Sequence, residues 1–425
     1  MRPEEVTAVG DLAGEAASGL TSQIREMHRV IAQRVWDAVG VAAAPVQVAH
    51  DQIADKAYWA ARVTARALVR GGARAISLTR PDDAPSIDES PRGRLAVGAL
   101  NGAFGDVLHR RANELALGMT VRCAGRDVAV SPAALAAAFP EATGRLVLFV
   151  HGLCETDDAW ELGAERHVPY GVRLQTELGY TSLYLRYNTG RHVSENGREL
   201  AGLLERLVEA WPVEVGEIAM IGHSMGGLVS RSACHYAVDH AWPSKVAHVF
   251  TLGTPHVGVP IEKAATATAA ALARVPETRG LAHALNARSS GIQDLGHGYL
   301  VDEDWLDQEP YAFIKRVGSE IPFLPSANHY FVSATVTREL DAPVGRVVGD
   351  LLVLHPSAWG QARRGQRLRF PVEQYRHVGG ASHLDLLNHP AIYEQICKWL
   401  AGRAVPTEGE FVAAEDVGRS APGST

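Results

Sequence analysis

Glu217-Ile218-Ala219-Met220-Ile221-Gly222-His223-Ser224-Met225-Gly226-Gly227-Leu228-Val229 decides how this chain is read. Its first five residues are a short, mostly apolar run of strand character, and the residues from Gly226 onward have the texture of a helix. Between them stands G-x-S-x-G, and a serine in that string at a strand-to-helix junction is the pattern of a nucleophile elbow. The string alone occurs by chance in many proteins; strand, string and helix together do not. Gly222 and Gly226 have a steric task, because a serine in a sharp, strained turn needs neighbours that let strand and helix close around it. Such a turn lifts the Ser224 hydroxyl out of the sheet and turns the Met225 N–H toward the same space.

Outward from this stretch, the chain from Gly144 alternates strands and helices. Arg145–Val150 is a continuous apolar run, as expected for a strand covered on both faces. Similar runs are Thr181–Tyr187, Val246–Gly253, His329–Val336 and Gln374–Val378. Helical stretches separate most of them, among them Glu195–Ala210 and Gly226–Val238, and a final helix spans Ala391–Ala401. This βαβα order predicts a mostly parallel sheet flanked by helices. Between about 260 and 325 the alternation fails. Two helices, Glu262–Arg274 and Thr278–Ala287, and the acidic run Asp302-Glu303-Asp304-Trp305 fill that gap, which reads as a helical cap inserted into the sheet domain. The domain itself is placed at 141–405, with a flexible tail at 406–425.

The first third carries no chemical motif. Residues 1–20, acidic and small, are expected to be disordered, and 21–140 to be a helical N-terminal extension. Ile24, Met27, Ile31 and Val35 share one helical face opposite Arg25, Arg29 and Arg34. A second helix is expected over Asp51–Val69, ending at Gly71-Gly72, then a loop over Arg80–Arg94 and more helix up to a turn at Cys123–Asp127. The amphipathic helices are read as packing on their own domain in preference to docking on lipid.

Composition sets further bounds. The 425 residues, 46 % of them hydrophobic, suffice for a large core, and 48 acidic against 41 basic residues give no footprint for nucleic acid. Cys123, Cys154, Cys234 and Cys397 are far apart and lack metal spacing, so reduced thiols are expected. No secretion signal opens the sequence and no apolar stretch reaches membrane length, which sets the expectation of a cytoplasmic protein.

A serine hydroxyl needs a positioned base, and the base an orienting acid. In a strand–elbow–helix architecture they follow in the order Ser, acid, His. His383, in the loop between the last strand-like run and the final helix, is the candidate base; His329, His355, His377 and His389 are rivals. Asp350 is the first candidate acid and Asp341 the second, the latter also readable as a turn former before Ala342-Pro343. The oxyanion donors are expected to be the backbone N–H groups of Leu153 and Met225. Gly152 lets the backbone approach the substrate, and His151 is expected to hold this loop by a hydrogen bond. The acidic run at 302–304 reads as a solvated loop, and neither metal nor cofactor is expected.

From about Arg145 to Leu400, some 60 % of the chain, these residues resemble the α/β-hydrolase superfamily and within it the lipase and esterase branch. The resemblance lies in V-L-F-V-H-G-L with Trp160 downstream, I-G-H-S-M-G-G, L-G-T-P-H-V-G, G-D-L-L-V and S-H-L-D-L-L. It implies nucleophile Ser224, acid Asp350, base His383 and oxyanion donors Leu153 and Met225, with His151, Gly152, Gly222, His223 and Gly226 in support. It implies an ester hydrolase working through an acyl-enzyme on Ser224, with a lipid or medium-chain ester as the expected small-molecule substrate. Ala264–Ala273, Trp305, Tyr311, Phe313 and Phe323 offer apolar surface for an acyl chain. Two features depart from the branch. Leu351 stands where D-G-L-V has glycine, and Asp385, at the place of a calcium ligand, has no second ligand in view. A thioesterase or acyltransferase with the same triad is the alternative, and a non-catalytic binding protein of this fold a more distant one. Haloalkane dehalogenation would need a carboxylate at the elbow, where Ser224 stands.

Overall fold

Strands built almost wholly from buried apolar residues form the centre of this molecule, a computed structural model. It describes residues 1–39, 44–81, 83–259, 289–306, 318–339, 349–360 and 368–402. Six strands fall where apolar runs predict them: β3 (Arg145–Val150), β4 (Thr181–Arg186), β5 (Glu217–His223), β6 (Val246–Leu252), β7 (Asn328–Thr335) and β8 (Tyr375–Gly379). With β1 (Thr120–Cys123) and β2 (Arg126–Val128) they make one eight-stranded sheet in the order β2-β1-β4-β3-β5-β6-β7-β8. Neighbours from β4 to β8 are parallel, whereas β1 runs antiparallel to both β2 and β4.

Side chains alternate across the sheet and feed two cores. Leu146, Leu148 and Val150 of β3 pack with Leu200, Leu204 and Leu207 of helix α6 (Val193–Ala210) and Leu228 and Val229 of helix α7 (Met225–Tyr236). Val147 and Phe149 point the other way, toward Leu174 of helix α5 (Tyr170–Leu178) and Ile392, Tyr393 and Ile396 of the C-terminal helix (Pro390–Ala401). Each such fully buried side chain stabilises the sheet by about 1.5–3 kcal/mol, which is why β3 reads as an unbroken apolar run. α7 starts one residue after Ser224, so the sheet's centre delivers the serine to its carboxyl edge.

The sheet begins earlier than its expected start at 141. Residues 120–128, placed in a helical extension by the sequence, form the β1–β2 hairpin, turning through Ala124 and Gly125 at φ 48° and 72°. A buried ion cluster fixes it: Asp157 accepts from Arg122 Nε (3.1 Å) and Arg186 Nε (2.8 Å), and both arginine side chains are about 4 % exposed. Helix α4 (Pro132–Ala138), capped by Ser131, then leads into β3.

The described residues fall into two compact units, one taking in Met1–Val97 and Val107–Ala116, the other Gly98–Asp106 and most of the chain from Leu117 on. In the first unit, residues 3–20 are helical, which corrects the expectation of disorder. Helix α1 (Pro3–Val39) runs through them and pairs with helix α2 (Ala44–Ser77). Glu4 and Glu5 favour the N-terminal turn, and Asp11 and Glu15 find partners in Arg70 and Arg66 of α2. The same pairing carries α2 through Gly71-Gly72, each of which costs about 1 kcal/mol in a helix interior, so α2 outruns its expected span. Helix α3 (Pro91–Arg110) follows. The four cysteines are free thiols, and no helix among the described residues is long and apolar enough to cross a membrane.

Of the expected cap, helices 262–274 and 278–287, together with Tyr311 and Phe313, lie outside the described residues, as do Asp341 and the tail 406–425. The described part of that insertion contains the helix Ser290–His297, and its acidic run is not a solvated loop. Asp304 is buried and accepts from the backbone N–H groups of Leu300 (2.8 Å) and Val301 (3.2 Å), while Asp302 pairs with Arg198.

Candidate active site

The strand-to-helix junction makes a turn that few residues tolerate. Ser224 sits at φ 51°, ψ −121°, outside the usual regions for an L residue, at a cost of about 1–3 kcal/mol. The surrounding packing enforces it. The Ser224 N–H donates to the Leu252 carbonyl at the end of β6 (2.8 Å), and the Ser224 carbonyl accepts from Gly227 N–H (3.1 Å). A Cβ on Gly222 would lie 2.5 Å from the Gly227 nitrogen, and one on Gly226 only 2.1 Å from the Val150 carbonyl oxygen of β3. Both flanking positions must therefore be glycine.

Asp350 and His383 meet beside this turn. His383 Nδ1 lies 2.8 Å from Asp350 Oδ2, with Asp350 1 % and His383 3 % exposed. The other carboxylate oxygen, Oδ1, accepts from Leu352 N–H (3.0 Å) and Val353 N–H (2.7 Å). The backbones are tied as well, His383 N–H donating to the Asp350 carbonyl (2.8 Å). Because Asp350 is fixed on three sides, Nδ1 carries the proton and Nε2 is left as the basic nitrogen. Nε2 is buried and has no hydrogen-bond partner among the described residues. The ring borders the turn that receives Ser224: a Cβ on Gly253, the residue after Leu252, would lie 3.0 Å from His383 Cε1. The structure thus brings His383 and Asp350 together beside the turn that carries Ser224, with no hydrogen bond between His383 Nε2 and the Ser224 hydroxyl.

The loop after β3 and the start of α7 are where the sequence places the oxyanion donors. Gly152 carbonyl accepts from Glu155 N–H (3.3 Å), closing a tight turn whose second residue is Leu153 and whose third, Cys154, stands at φ 62°. Neither the Leu153 nor the Met225 N–H makes a hydrogen bond among the described residues, and Met225 opens α7, where the first N–H groups have no helical partner. His151 Nδ1 lies 3.0 Å from the Gly152 carbonyl, and its ring stacks on Tyr187. Burial pushes the His151 pKa down, leaving a neutral ring.

Sequence reasoning missed Glu155. Its Oε2 accepts from Gly152 N–H at 2.6 Å, and its carboxylate faces His223 Nδ1 at 3.1 Å. Burial would raise the carboxyl, but the His223 ring and the Gly152 N–H outweigh it and hold the pKa near about 2. His223 is fully buried and raised in turn by Glu155. Its Nε2 lies 3.2 Å from the His383 carbonyl, and the two rings are 4.7 Å apart. The one signal for Glu155 was a carboxylate four residues past His151 in a loop otherwise made for close approach.

The rival histidines have other work. His355 and His377 each place Nδ1 3.0 Å from Ser333 Oγ, with the Tyr375 hydroxyl beside them. His329 packs on Phe323, and His389 precedes the C-terminal helix at its N-cap. His256 of L-G-T-P-H-V-G meets Arg231 at 3.2 Å and stays neutral under burial and that neighbouring charge. Asp385 turns back on Ser382, accepting from its N–H (2.8 Å) and hydroxyl (2.6 Å). Among the described residues no group of three or more His, Cys, Asp or Glu side chains could hold a metal ion.

A mostly parallel sheet with a serine elbow after its central strand, an acidic residue after β7 and a histidine after β8 is the arrangement of the α/β-hydrolase fold. Residues 141–311 match the family described as the PGAP1-like alpha/beta domain. A triacylglycerol lipase of Burkholderia plantarii is 34 % identical over 145 residues, 32 % of this chain and 36 % of that protein. One of Pseudarthrobacter phenanthrenivorans is 32 % identical over 127 residues, 28 % of this chain and 35 % of that protein. The chain thus spans about a third of the length of these curated relatives. Among solved structures, the mature form of a Bacillus licheniformis lipase aligns with 60 % of this chain and 91 % of its own at 18 % identity and a TM-score of 0.39.

Proposed function

We propose that this protein is a serine hydrolase that cleaves carboxylic esters, with lipid or medium-chain acyl esters as its substrates. The observation that carries the reading is the buried His383–Asp350 clasp at 2.8 Å beside a serine held in a strained turn at the head of α7. In the proposed reaction the Ser224 hydroxyl attacks the ester carbonyl while His383 Nε2 takes its proton. The oxyanion lies between the N–H groups of Leu153 and Met225. The tetrahedral adduct collapses as His383 protonates the leaving alcohol, and the acyl group stays on Ser224. A water then gives its proton to His383 and attacks the acyl carbonyl, releasing the acid and restoring the serine. Asp350 holds the imidazole in the Nδ1–H form throughout.

The test is hydrolysis of p-nitrophenyl esters of graded acyl length, and of an acyl thioester beside them, by the protein and its Ser224→Ala variant. The expected result is an optimum at medium or long acyl length and a loss of about 10³-fold or more in the variant. Equal rates for the two proteins refute the assignment of Ser224. A preference for the thioester replaces the ester reading with the thioesterase one.

A further inference from the structure

The hydrogen bonds around His223 determine its charge. Nδ1 faces the Glu155 carboxylate (3.1 Å to Oε1, 3.2 Å to Oε2), and Nε2 faces the carbonyl oxygen of His383 at 3.2 Å. A carbonyl oxygen only accepts, and so does an ionised carboxylate. A neutral imidazole has one N–H and would leave one of these contacts as two facing lone pairs, so both nitrogens must donate. We propose that Glu155 and His223 form a largely buried carboxylate–imidazolium strut that ties the oxyanion loop to the loop bearing the base, and that Glu155 is thereby a positioning residue for the reaction.

The strut's two ends reach both halves of the machinery. At one end, Glu155 Oε2 also takes the Gly152 N–H at 2.6 Å, which fixes the peptide just before Leu153 and leaves the Leu153 N–H as the free donor of that turn. At the other end, the imidazolium grips the His383 carbonyl, while the His383 N–H is held by the Asp350 carbonyl at 2.8 Å. The base is therefore clamped through its backbone on both sides and through Nδ1. Between the two ends lies Ser224, the next residue after His223. The groups that face the ring are Glu155 from the loop after β3, Asp350 from the loop after β7, and His383 from the loop after β8; His151 and Tyr187 bear on Glu155, and Trp160 meets the ring edge-on at 6.4 Å. Of these only Glu155 and Asp350 carry negative charge, and Asp350 is already engaged by His383. Neutralising Glu155 thus removes the charge that faces Nδ1.

The positioning role rests on the ester-hydrolase reading; the charge state of His223 does not. Both are tested on the full chain labelled with ¹⁵N-histidine, the His223 signals being assigned by their absence in His223→Gln. In the wild type both His223 nitrogens are expected to be protonated at pH 7, and in Glu155→Gln only one. Turnover of the preferred p-nitrophenyl ester is expected to fall about 10²-fold in Glu155→Gln, the loss that a displacement of about 1 Å at a reacting group brings, with KM within about twofold. The kcat profile of the wild type is expected to decline on the alkaline side as His223 loses its second proton, and Glu155→Gln to lack that limb. A wild-type His223 with one bare nitrogen at pH 7 overturns the strut. A Glu155→Gln protein that melts earlier yet keeps full kcat and the alkaline limb overturns the positioning role. Should Glu155→Gln fail to fold, the wild-type spectra and alkaline limb decide alone. A protein inert on every ester defeats the hydrolase reading, and the spectra still decide the strut.

Discussion

Replacing Asp350 by asparagine changes one atom's chemistry at a place where geometry dictates the outcome. Oδ1 accepts from two backbone N–H groups, those of Leu352 (3.0 Å) and Val353 (2.7 Å), so the amide oxygen of the asparagine must take that side. Its NH₂ then faces His383 Nδ1 at the 2.8 Å now spanned by a charge-assisted bond. Two donors cannot share that contact, so His383 shifts its proton to Nε2 and loses the lone pair that would receive the Ser224 proton. A wrong tautomer of this kind costs about 10⁴-fold in kcat, or about 5 kcal/mol of barrier. Folding suffers less, because the turn's two backbone bonds survive and one bond to an ionised group is lost, worth about 1.5–3 kcal/mol. The measurement is steady-state hydrolysis of a medium-chain p-nitrophenyl ester by Asp350→Asn and the parent protein, with circular dichroism to establish that both are folded. A folded variant that keeps more than a tenth of the parent's kcat refutes the reasoning and transfers the acid's role to another carboxylate.

Other perturbations test other parts of the structure. Asp157→Ala leaves the buried guanidinium groups of Arg122 and Arg186 without the carboxylate they share; unfolding free energy is expected to fall by about 3–5 kcal/mol, and a loss under about 1 kcal/mol in denaturant titration contradicts the cluster's importance. Gly226→Ala sets a methyl 2.1 Å from the Val150 carbonyl oxygen, a backbone atom with nowhere to go; the expected cost is about 3 kcal/mol with activity lost, and an active variant of parental stability would show that the elbow can relax. The Glu155–His223 pair also predicts a shape for stability against pH. Glu155 titrates near about 2 when folded, below its ordinary 4.5, so its contribution is complete above pH 4.5 and lost as pH falls toward 2. His223 is raised above its ordinary 6.5, so its contribution is complete below pH 6.5 and lost as pH rises through the folded value. The parent's stability advantage over Glu155→Gln should therefore peak between pH 4.5 and 6.5, and a difference flat from pH 3 to 9 speaks against the ion pair.

What the sequence disclosed and what it hid follow one physical distinction. β3 and β5 to β7 were legible because strands buried on both faces are largely apolar along their length, and that is a local property. The elbow was legible because Gly222 and Gly226 answer to backbone atoms a few residues or one strand away. The β1–β2 hairpin was not, because its strands span four and three residues and one of them buries Arg122. A buried arginine is written in sequence as a surface residue, and its partner Asp157 lies 35 residues on. The same holds for α1, whose acidic start resembles a loose terminus until Arg70, 55 residues beyond Glu15, is seen to meet it. Glu155 was passed over for that reason too: its partner His223 is 68 residues distant. Apolar burial can be read from a window of sequence, whereas the pairing of buried charge is fixed only by the fold.

Leu351 shows how a motif can lose a residue without losing its geometry. It stands at φ 88°, a left-handed conformation that favours glycine, which is the residue D-G-L-V would supply there. Strain of about 1–3 kcal/mol is the expected consequence. The side chain is 62 % exposed, so burial offsets little of it. The turn persists because its neighbours over-determine it. Asp350 Oδ1 holds the N–H groups of Leu352 and Val353, Asp350 N–H reaches the Val353 carbonyl at 3.2 Å, and the Gly349 carbonyl accepts from Val336 N–H at the end of β7 at 3.0 Å. Every one of these bonds is made by atoms that a leucine at 351 leaves in place. The substitution therefore strains the turn without moving the Asp350 carboxylate from His383, and the departure from the motif bears on stability, not on the acid's candidacy.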